Sequence, residues 1–394
     1  MNLLYTITVY PPSIGGAQQY THQLAKSLSG NHAVQVVSLW DTNRTDWLLG
    51  TTLNASRCSY DYHHDGLPIH RMGFNLLEKI AMFPAVVAYY PLMDLALPYL
   101  STITRAHIEP FTYSANLIHN VRVGREPLSL ASLQIARRRD IPFFFTPLHH
   151  PRWTGWIYRH YHNIYRQADG VIALTRAEKQ ILMSFGVEES RITVTGMGPI
   201  LADSVDEKAF RQKLNLTNEP LVLFLGQKYA YKGVADLLSA APLVWQRFPE
   251  TRFAFIGPRT DYSKKLFRTF NDYRILEIDS VSLQEKTDAL SACTLLCVPS
   301  SQESFGGVYT EAWSFFKPVI GCSIPAVAEL ISDGVDGCLV KQQPGDIANH
   351  ILALISDPGL AHMMGVAGQQ KVIERYTWQQ LINLTEHAYK NVLS

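Results

Sequence analysis

Excess charge of one sign is nearly absent from this sequence. Lysine and arginine number 35 against 34 aspartates and glutamates, a formal net charge of +1. No global field recruits nucleic acid, so any anion site has to be built locally. Cysteine is sparse and odd in number: Cys58, Cys293, Cys297, Cys322 and Cys338. Four of these lie in apolar strand or helix contexts, which argues against a disulfide framework and reads as reduced core thiols of a cytosolic protein. Cys293 and Cys297 have no second Cys or His pair to complete a zinc site. Long apolar runs are missing too. The best candidate for a membrane span, residues 83–100, is interrupted by Pro84, Pro91, Asp94 and Pro98, which excludes a transmembrane helix. Exposed, that stretch would rest on a lipid surface or cradle an apolar molecule; buried, it is helix and loop core, and the core reading is preferred. There is no internal repeat and no low-complexity segment. The opening MNLLYTITVYPP breaks at Pro11 after too few apolar residues for a signal peptide, and reads as a first strand.

What is present is a chain of 394 residues, 47% hydrophobic, long enough for two domains with a core each. It opens with a strand (3–9), a loop (10–16), a helix (17–28) and a strand (34–39), the βα unit of a doubly wound parallel sheet. Gly15 and Gly16 stand before a helix whose Tyr20, Leu24 and Leu28 share a face, so they mark either a bare-backbone anion site or simply a turn. Further strands are expected at 115–119, 142–149 and 170–175. Ligands collect beyond the carboxyl ends of such strands, which makes His119 and the pair His149 and His150 candidates, although a structural role is preferred for His119. Residues 149–167 place Trp153, Ile157, Tyr161 and Ile164 at helical spacing among Arg152, Arg159 and Arg166. An amphipathic interdomain helix is preferred there over a nucleic-acid surface, because no recognised nucleic-acid motif accompanies it. The arginines 137–139 are fewer than a polybasic lipid anchor needs.

After a strand at 191–195 the pattern is interrupted by glycines and proline, and the domain boundary is expected at 203/204. The second unit opens with strand 220–226, followed by Lys228 and Lys232 in its loop. Strand 253–257 precedes Pro258 and Arg259, and Ser282 with Glu285 forms a capping box for the next helix. The central stretch is residues 299–340. The apolar run 295–298 has the length of a buried parallel strand and Pro299 ends it. The loop beyond carries Glu303, Ser304, Phe305, Gly306 and Gly307, and a helix starts at Gly307. Val308, Ala312, Phe315 and Phe316 are expected on its packing face, with Gly307, Thr310, Glu311 and Ser314 on a recognising one. A glycine pair at a helix start lets an anion approach bare backbone, and Glu311, one turn in, can accept from hydroxyls. A final helix over 376–394 carries a stripe of Trp378, Leu381, Leu384 and Ala388.

This arrangement resembles the nucleotide-sugar site of GT-B-fold retaining glycosyltransferases, of the glycosyltransferase family 4 or group 1 type. Their two glutamates flanking seven residues are met by Glu303 and Glu311, with PS before, FG within, EA then KPVI after, and DGVDG at 333–337. The resemblance implies an α/β chain of two Rossmann-like doubly wound domains facing across a cleft. The acceptor domain would be 1–203, with 376–394 crossing back onto it, and the donor domain 204–375. It assigns Glu311 to the ribose and Glu303 to the donor sugar. The donor site is further expected to include Gly15, Gly16, Gly226, Ser304, Phe305, Gly306, Gly307 and Val308. Lys228, Lys232 and His149 would join Glu303 in catalysis, and His119 and His150 would face the acceptor; two adjacent histidines leave open which of His149 and His150 meets the donor. In the family an arginine follows the glycine at 226, whereas here Gln227 stands there with Lys228 beside it.

The implied activity is transfer of a hexose from a nucleoside-diphosphate sugar to an acceptor hydroxyl on a glycan, glycolipid or small molecule. It would take place in the cytoplasm, with peripheral contact at the inner face of the membrane and no nucleic-acid partner. No metal or cofactor is expected, since the chain has no Asp-any-Asp motif. The alternatives are a sugar-nucleotide epimerase or phosphorylase on the same fold, and a noncatalytic sugar-nucleotide-binding subunit.

Overall fold

The computed structural model describes residues 1–13, 15–40 and 47–393. Ile14, in the glycine-rich loop expected to bind the donor, lies outside them. The chain divides into two compact units, Met1–Thr195 with the segment from Trp378 onward, and Gly196–Thr377. The first division falls earlier than 203/204 because Gly196, at φ +79°, turns the chain immediately beyond the last strand of the first unit. Tyr376 stays in the second unit, its ring 5.4 Å from that of Phe305.

In the first unit the strands are β1 (Asn2–Val9), β2 (Ala33–Trp40), β3 (Tyr60–His64), β4 (Leu67–Arg71), β5 (Leu117–Val121), β6 (Phe143–Thr146), β7 (Gly170–Ala173) and β8 (Ile192–Val194). They form one sheet in the order β3-β4-β2-β1-β5-β6-β7-β8. All neighbours are parallel except β3 and β4, a hairpin turned by Asp65 and Gly66, both at positive φ, as a two-residue type I′ loop requires. β5 and β6 are buried at every position, the signature of strands covered on both faces. Tyr5 pairs in register with Val36 and His119. The terminal helix Trp378–Leu393 closes this core, with the Tyr389 hydroxyl 2.7 Å from that of Tyr5. Its inward face is Leu381, Ile382, Thr385, Ala388 and Tyr389. Leu384, expected to be buried, is exposed, because a wider inward arc at 3.6 residues per turn passes it by.

Two other expectations change. The helix after His149 begins only at Arg159 (Arg159–Gln167), following a turn at Gly155 with φ +84°, so Trp153 lies on a loop. Residues 83–100 are not all core. They are shared between helices Leu76–Val87 and Met93–Ile108, each with proline inside. Met82, Val86, Met93, Leu97 and Leu100 are buried, whereas Phe83, Val87, Leu92, Leu95 and Tyr99 are exposed. A helix lying on a sheet buries one face only, and here the outer face is apolar as well.

The second unit holds β9 (Leu221–Leu225), β10 (Arg252–Ile256), β11 (Ile275–Ile278), β12 (Leu295–Val298), β13 (Val319–Cys322) and β14 (Gly337–Val340). The sheet order is β11-β10-β9-β12-β13-β14, all parallel. The chain winds one way from β9 to β11 and the other way from β12 to β14. The topological switch point therefore lies between β9 and β12, where such sheets bind ligands. Cys293, Cys297, Cys322 and Cys338 are buried thiols, and Cys58 is exposed.

Candidate active site

At the switch point, two loops from adjacent strands are stitched together. After β9 the chain passes Gly226 and a single 3-10 turn, Ala230–Lys232, to Gly233 at φ +76°. A Cβ on Gly233 would stand 2.3 Å from the Pro299 carbonyl, so only glycine allows the loop after β12 to come this close. That second loop is held by Ser301 N–H donating to the Tyr231 carbonyl at 2.8 Å and by the Gln342 amide donating to the Pro299 carbonyl at 2.9 Å. The outcome is a short ion pair, Lys232 Nζ to Glu303 Oε1 at 2.6 Å, with both side chains largely buried.

One turn further on, helix Gly307–Trp313 carries Glu311. Lys286, on helix Leu283–Ala292, donates to Glu311 Oε1 at 2.6 Å and to the Ile200 carbonyl at 2.7 Å. The other carboxylate oxygen, Oε2, is buried and has no partner among the described residues. The Glu311 side chain is only 5% exposed, and a buried acceptor left open in this way is costly unless something donates to it. Gly306 is at φ +94°, and a Cβ there would stand 2.6 Å from the Tyr309 ring. Tyr309 in turn donates its hydroxyl to the Val298 carbonyl at 2.7 Å, fixing the helix to β12. Ser304, Gly307 and Val308 are partly exposed along the same turn and Phe305 is buried. The packing face differs from the expected one: Tyr309, Ala312 and Trp313 are buried, while Phe316 lies beyond the helix at φ +57° and is exposed. A helix that ends at Trp313 carries its pattern no further.

Lys228 is not at this site's polar surface. Its side chain is fully buried, with Nζ 2.7 Å from the Ile278 carbonyl and 3.3 Å from Glu277 on β11. Burial holds its pKa below the usual lysine value, against the opposing pull of Glu277. The expectation that Lys228 supplies a point charge for phosphate is not met in this arrangement, because its ammonium is buried against the β11 edge. Arg259, at the end of β10, reaches the same carboxylate, with Nε 3.2 Å from Glu277 Oε1.

In the first unit, His119 is not at a strand end facing outward. It sits inside β5, completely buried, bonded through Nε2 to Thr146 Oγ1 at 2.7 Å and through Nδ1 to the Tyr389 hydroxyl. Burial pushes its pKa down to about 3, so it is a neutral core group, and its expected acceptor role is set aside on that ground. Beyond β6, Leu148 adopts φ +46°, a strained conformation for a bulky residue. His149 then turns inward, 1% exposed, among Trp153, Tyr165 and Phe185, while His150 stays partly exposed against Trp153. Burial, and then the charge of Arg122, bring the His149 pKa down to about 3. Glu178 accepts from the backbone N–H of His149 at 2.6 Å and of Leu174 at 2.7 Å, tying the ends of β6 and β7 together. Burial raises its pKa to about 7. Gly15 has extended backbone and no side chain caps helix Gly16–Leu28.

Family sequence models match both units: glycosyl transferases group 1 over residues 206–371, and the glycosyl transferase 4-like domain over 15–198. The chain belongs to the group 1 glycosyltransferases. D-inositol 3-phosphate glycosyltransferase of Kribbella flavida is 28% identical over 243 residues, covering 57% of this chain and 56% of that protein. Alpha-maltose-1-phosphate synthase of Mycolicibacterium smegmatis is 27% identical over 192 residues, covering 44% and 49%. The chain thus spans about half the length of the curated relatives it matches. HepE of Anabaena, solved in complex with UDP and glucose, superposes with a TM-score of 0.77 at 18% identity over 99% of each chain, which shows a shared GT-B fold.

In this glycosyltransferase the structure brings together Glu303, Lys232, Gly306, Gly307 and Glu311, and adds Lys286. Nothing in the spacing of the sequence pointed to Lys286, since its partner Glu311 is on another helix and meets it only through the fold. Arg122 was also missed. It is buried at the end of β5, its guanidinium 3.9 Å from the Trp153 ring centre and 3.8 Å from that of Tyr161. Among the described residues, one group has metal-ligating spacing, His22, His64 and Asp65. Lys26 Nζ stands 2.9 Å from the Asp65 carboxylate and opposes a cation there.

Proposed function

We propose that this protein is a retaining, metal-independent hexosyltransferase that moves a hexose from a nucleoside-diphosphate sugar to an acceptor hydroxyl. The observation that carries the reading is the pair of lysine-neutralised glutamates, Glu303 and Glu311, on one loop-helix segment at the switch point of the second sheet. The open Oε2 of Glu311 suits a ribose hydroxyl, a neutral donor that adds no further charge to a site already balanced by Lys286. Glu303 would meet the hexose, and Lys232, next to it, would turn toward the departing diphosphate, whose charge grows in the transition state. The donor set does not favour a divalent cation, since each of these carboxylates already has an ammonium at 2.6 Å. HepE, with UDP bound, supports a uridine nucleotide as the first to try. The acceptor would be a glycan, a small molecule or a lipid-linked sugar, the last met from the cytoplasm by an enzyme lying peripherally on a membrane.

Thermal stabilisation by UDP, GDP and ADP, followed by turnover of the matching sugar nucleotides with and without acceptors, tests this. One nucleoside diphosphate should raise the melting temperature and its hexose conjugate should turn over. Absence of any stabilisation would overturn the reading. Stabilisation without turnover on any acceptor would favour a noncatalytic sugar-nucleotide-binding subunit, the alternative that Gln227 and the buried Lys228 support.

A further inference from the structure

Helix Leu76–Val87 is apolar on its outward face as well as its inward one. Inward it buries Met82 and Val86; outward, Leu76, Leu77, Ile80, Phe83 and Val87 are 56% to 77% exposed. Those five follow the spacing of one continuous stripe along the helix. Its two charged residues are turned aside: Glu78 caps the helix through Asn75 and meets His107 at 2.7 Å, and Lys79 donates to the Ala55 carbonyl. Beyond the helix, Tyr90, Leu92, Leu95 and Tyr99 are 42% to 72% exposed. The neighbouring loop adds Trp156, 59% exposed. It is fixed to the start of helix Met93–Ile108 by Arg159, which lies 3.7 Å over the Trp156 ring and pairs with Asp94 at 2.8 Å. Arg125 donates to the Tyr90 hydroxyl at 3.0 Å, and Arg152 is exposed on the same loop.

Single exposed apolar side chains need no explanation, but a continuous stripe of them does. A surface helix ordinarily turns a polar face outward, whereas here the face opposite the buried Met82 and Val86 is apolar too and the core does not cover it. At 12 residues it is about 18 Å long, too short to span a bilayer and suited to lying in its surface. A protein partner would be expected to find about one hydrogen bond per 100–200 Å² of interface, and the stripe has no side chain to offer one. Lipid asks for none. The margin has the chemistry of a membrane interface, with Trp156, Tyr90 and Tyr99 for the headgroup level and the exposed Arg152 and partly exposed Arg159, the latter shared with Asp94, for its phosphates.

We infer that this face docks the protein on the surface of an anionic membrane, with helix Leu76–Val87 lying at the boundary of headgroups and acyl chains. The inference rests on the hexosyltransferase reading only for what it delivers, access to a lipid-borne acceptor. The test is cosedimentation of the full chain with phosphatidylcholine vesicles, with and without added phosphatidylglycerol. It is run on the parent and on the double variant Leu77→Glu, Ile80→Glu, whose side chains are exposed and outside the nucleotide site. The parent should pellet with the anionic vesicles, and the variant should bind them at least tenfold more weakly while keeping the parent's melting temperature and nucleotide response. A parent that stays in solution with both vesicles would overturn the inference, and so would a parent dimer in light scattering that the double variant turns into a monomer, since the stripe would then be covered by a second copy. Equal binding to uncharged vesicles would overturn the role given to the arginines. Nucleotide response in the same samples reports on the hexosyltransferase reading separately.

Discussion

At the scale of single residues, the two lysine–glutamate pairs make different demands. Lys286 and Glu311 are both largely buried, so removing one partner leaves a charge stranded, typically at a cost of about 3–5 kcal/mol. Lys286→Met should therefore destabilise the second unit and weaken nucleotide binding. The double variant Lys286→Met, Glu311→Gln, neutral at both positions, should recover most of the melting temperature and little of the affinity. Glu311→Ala alone should weaken nucleoside diphosphate binding at least tenfold, by about 1.5–3 kcal/mol, as isothermal titration would show. Unchanged affinity in a folded Glu311→Ala protein would reduce the pair to a structural contact. Lys228 and Lys232 separate in the same way. Because Lys228 Nζ is enclosed by Glu277 and the Ile278 carbonyl, Lys228→Met should lower the melting temperature and leave kcat within a few-fold. Lys232→Ala should cost roughly 10²–10³ in kcat. A normally stable Lys228→Met protein with kcat reduced a hundredfold would return Lys228 to the phosphates.

At the scale of elements, the strand-loop-helix of β12, Glu303 and Glu311 was legible because three local signals agree there: an apolar run, a proline stop and a glycine pair before a periodic helix. Topology was legible for the same reason, since continuous apolar strands alternating with helices leave few alternatives to a parallel sheet. Side-chain direction at strand ends was not. Lys228 could have faced the ligand or the β11 edge, and only the carboxylate of Glu277, 49 residues away, decides it. His119 and His149 show the same blindness, and their burial has a measurable consequence. Both refuse a proton until about pH 3, whereas an unfolded histidine accepts one near 6.5. Glu178 works the other way, holding a proton below about pH 7 when folded and only below about 4.5 when unfolded. Between about pH 6.5 and 4.5 the unfolded chain gains two protons from the histidines against one held by folded Glu178. Stability from these groups should then fall by about 1.4 kcal/mol per pH unit on acidification, and about twice as steeply from 4.5 to 3. His119→Phe should make the acid limb of the melting temperature shallower by about one proton. An identical slope in that variant would mean that His119 titrates normally.

At the scale of the whole molecule, a formal net charge of +1 on 394 residues means that nothing draws a diphosphate or a metal ion to the chain except local arrangement. The local arrangement at the switch point is two carboxylates, each closed by an ammonium at 2.6 Å. For a divalent cation to bind there it would have to displace Lys232 or Lys286 from a largely buried partner, leaving a lysine without its counter-charge, and the ion would bring two charges where one is already balanced. On the proposed function, a sugar nucleotide would make the opposite exchange: its hydroxyls would donate to the open oxygen of Glu311, and its phosphates would receive Lys232 as that ammonium turns from Glu303. Transfer or donor hydrolysis measured with and without EDTA should accordingly agree within about a factor of two, and added magnesium or manganese should change little. Complete loss in chelator, restored by either ion, would mean that the lysines move aside for a metal and that charge on the leaving diphosphate is met by the ion rather than by this chain's own side chains.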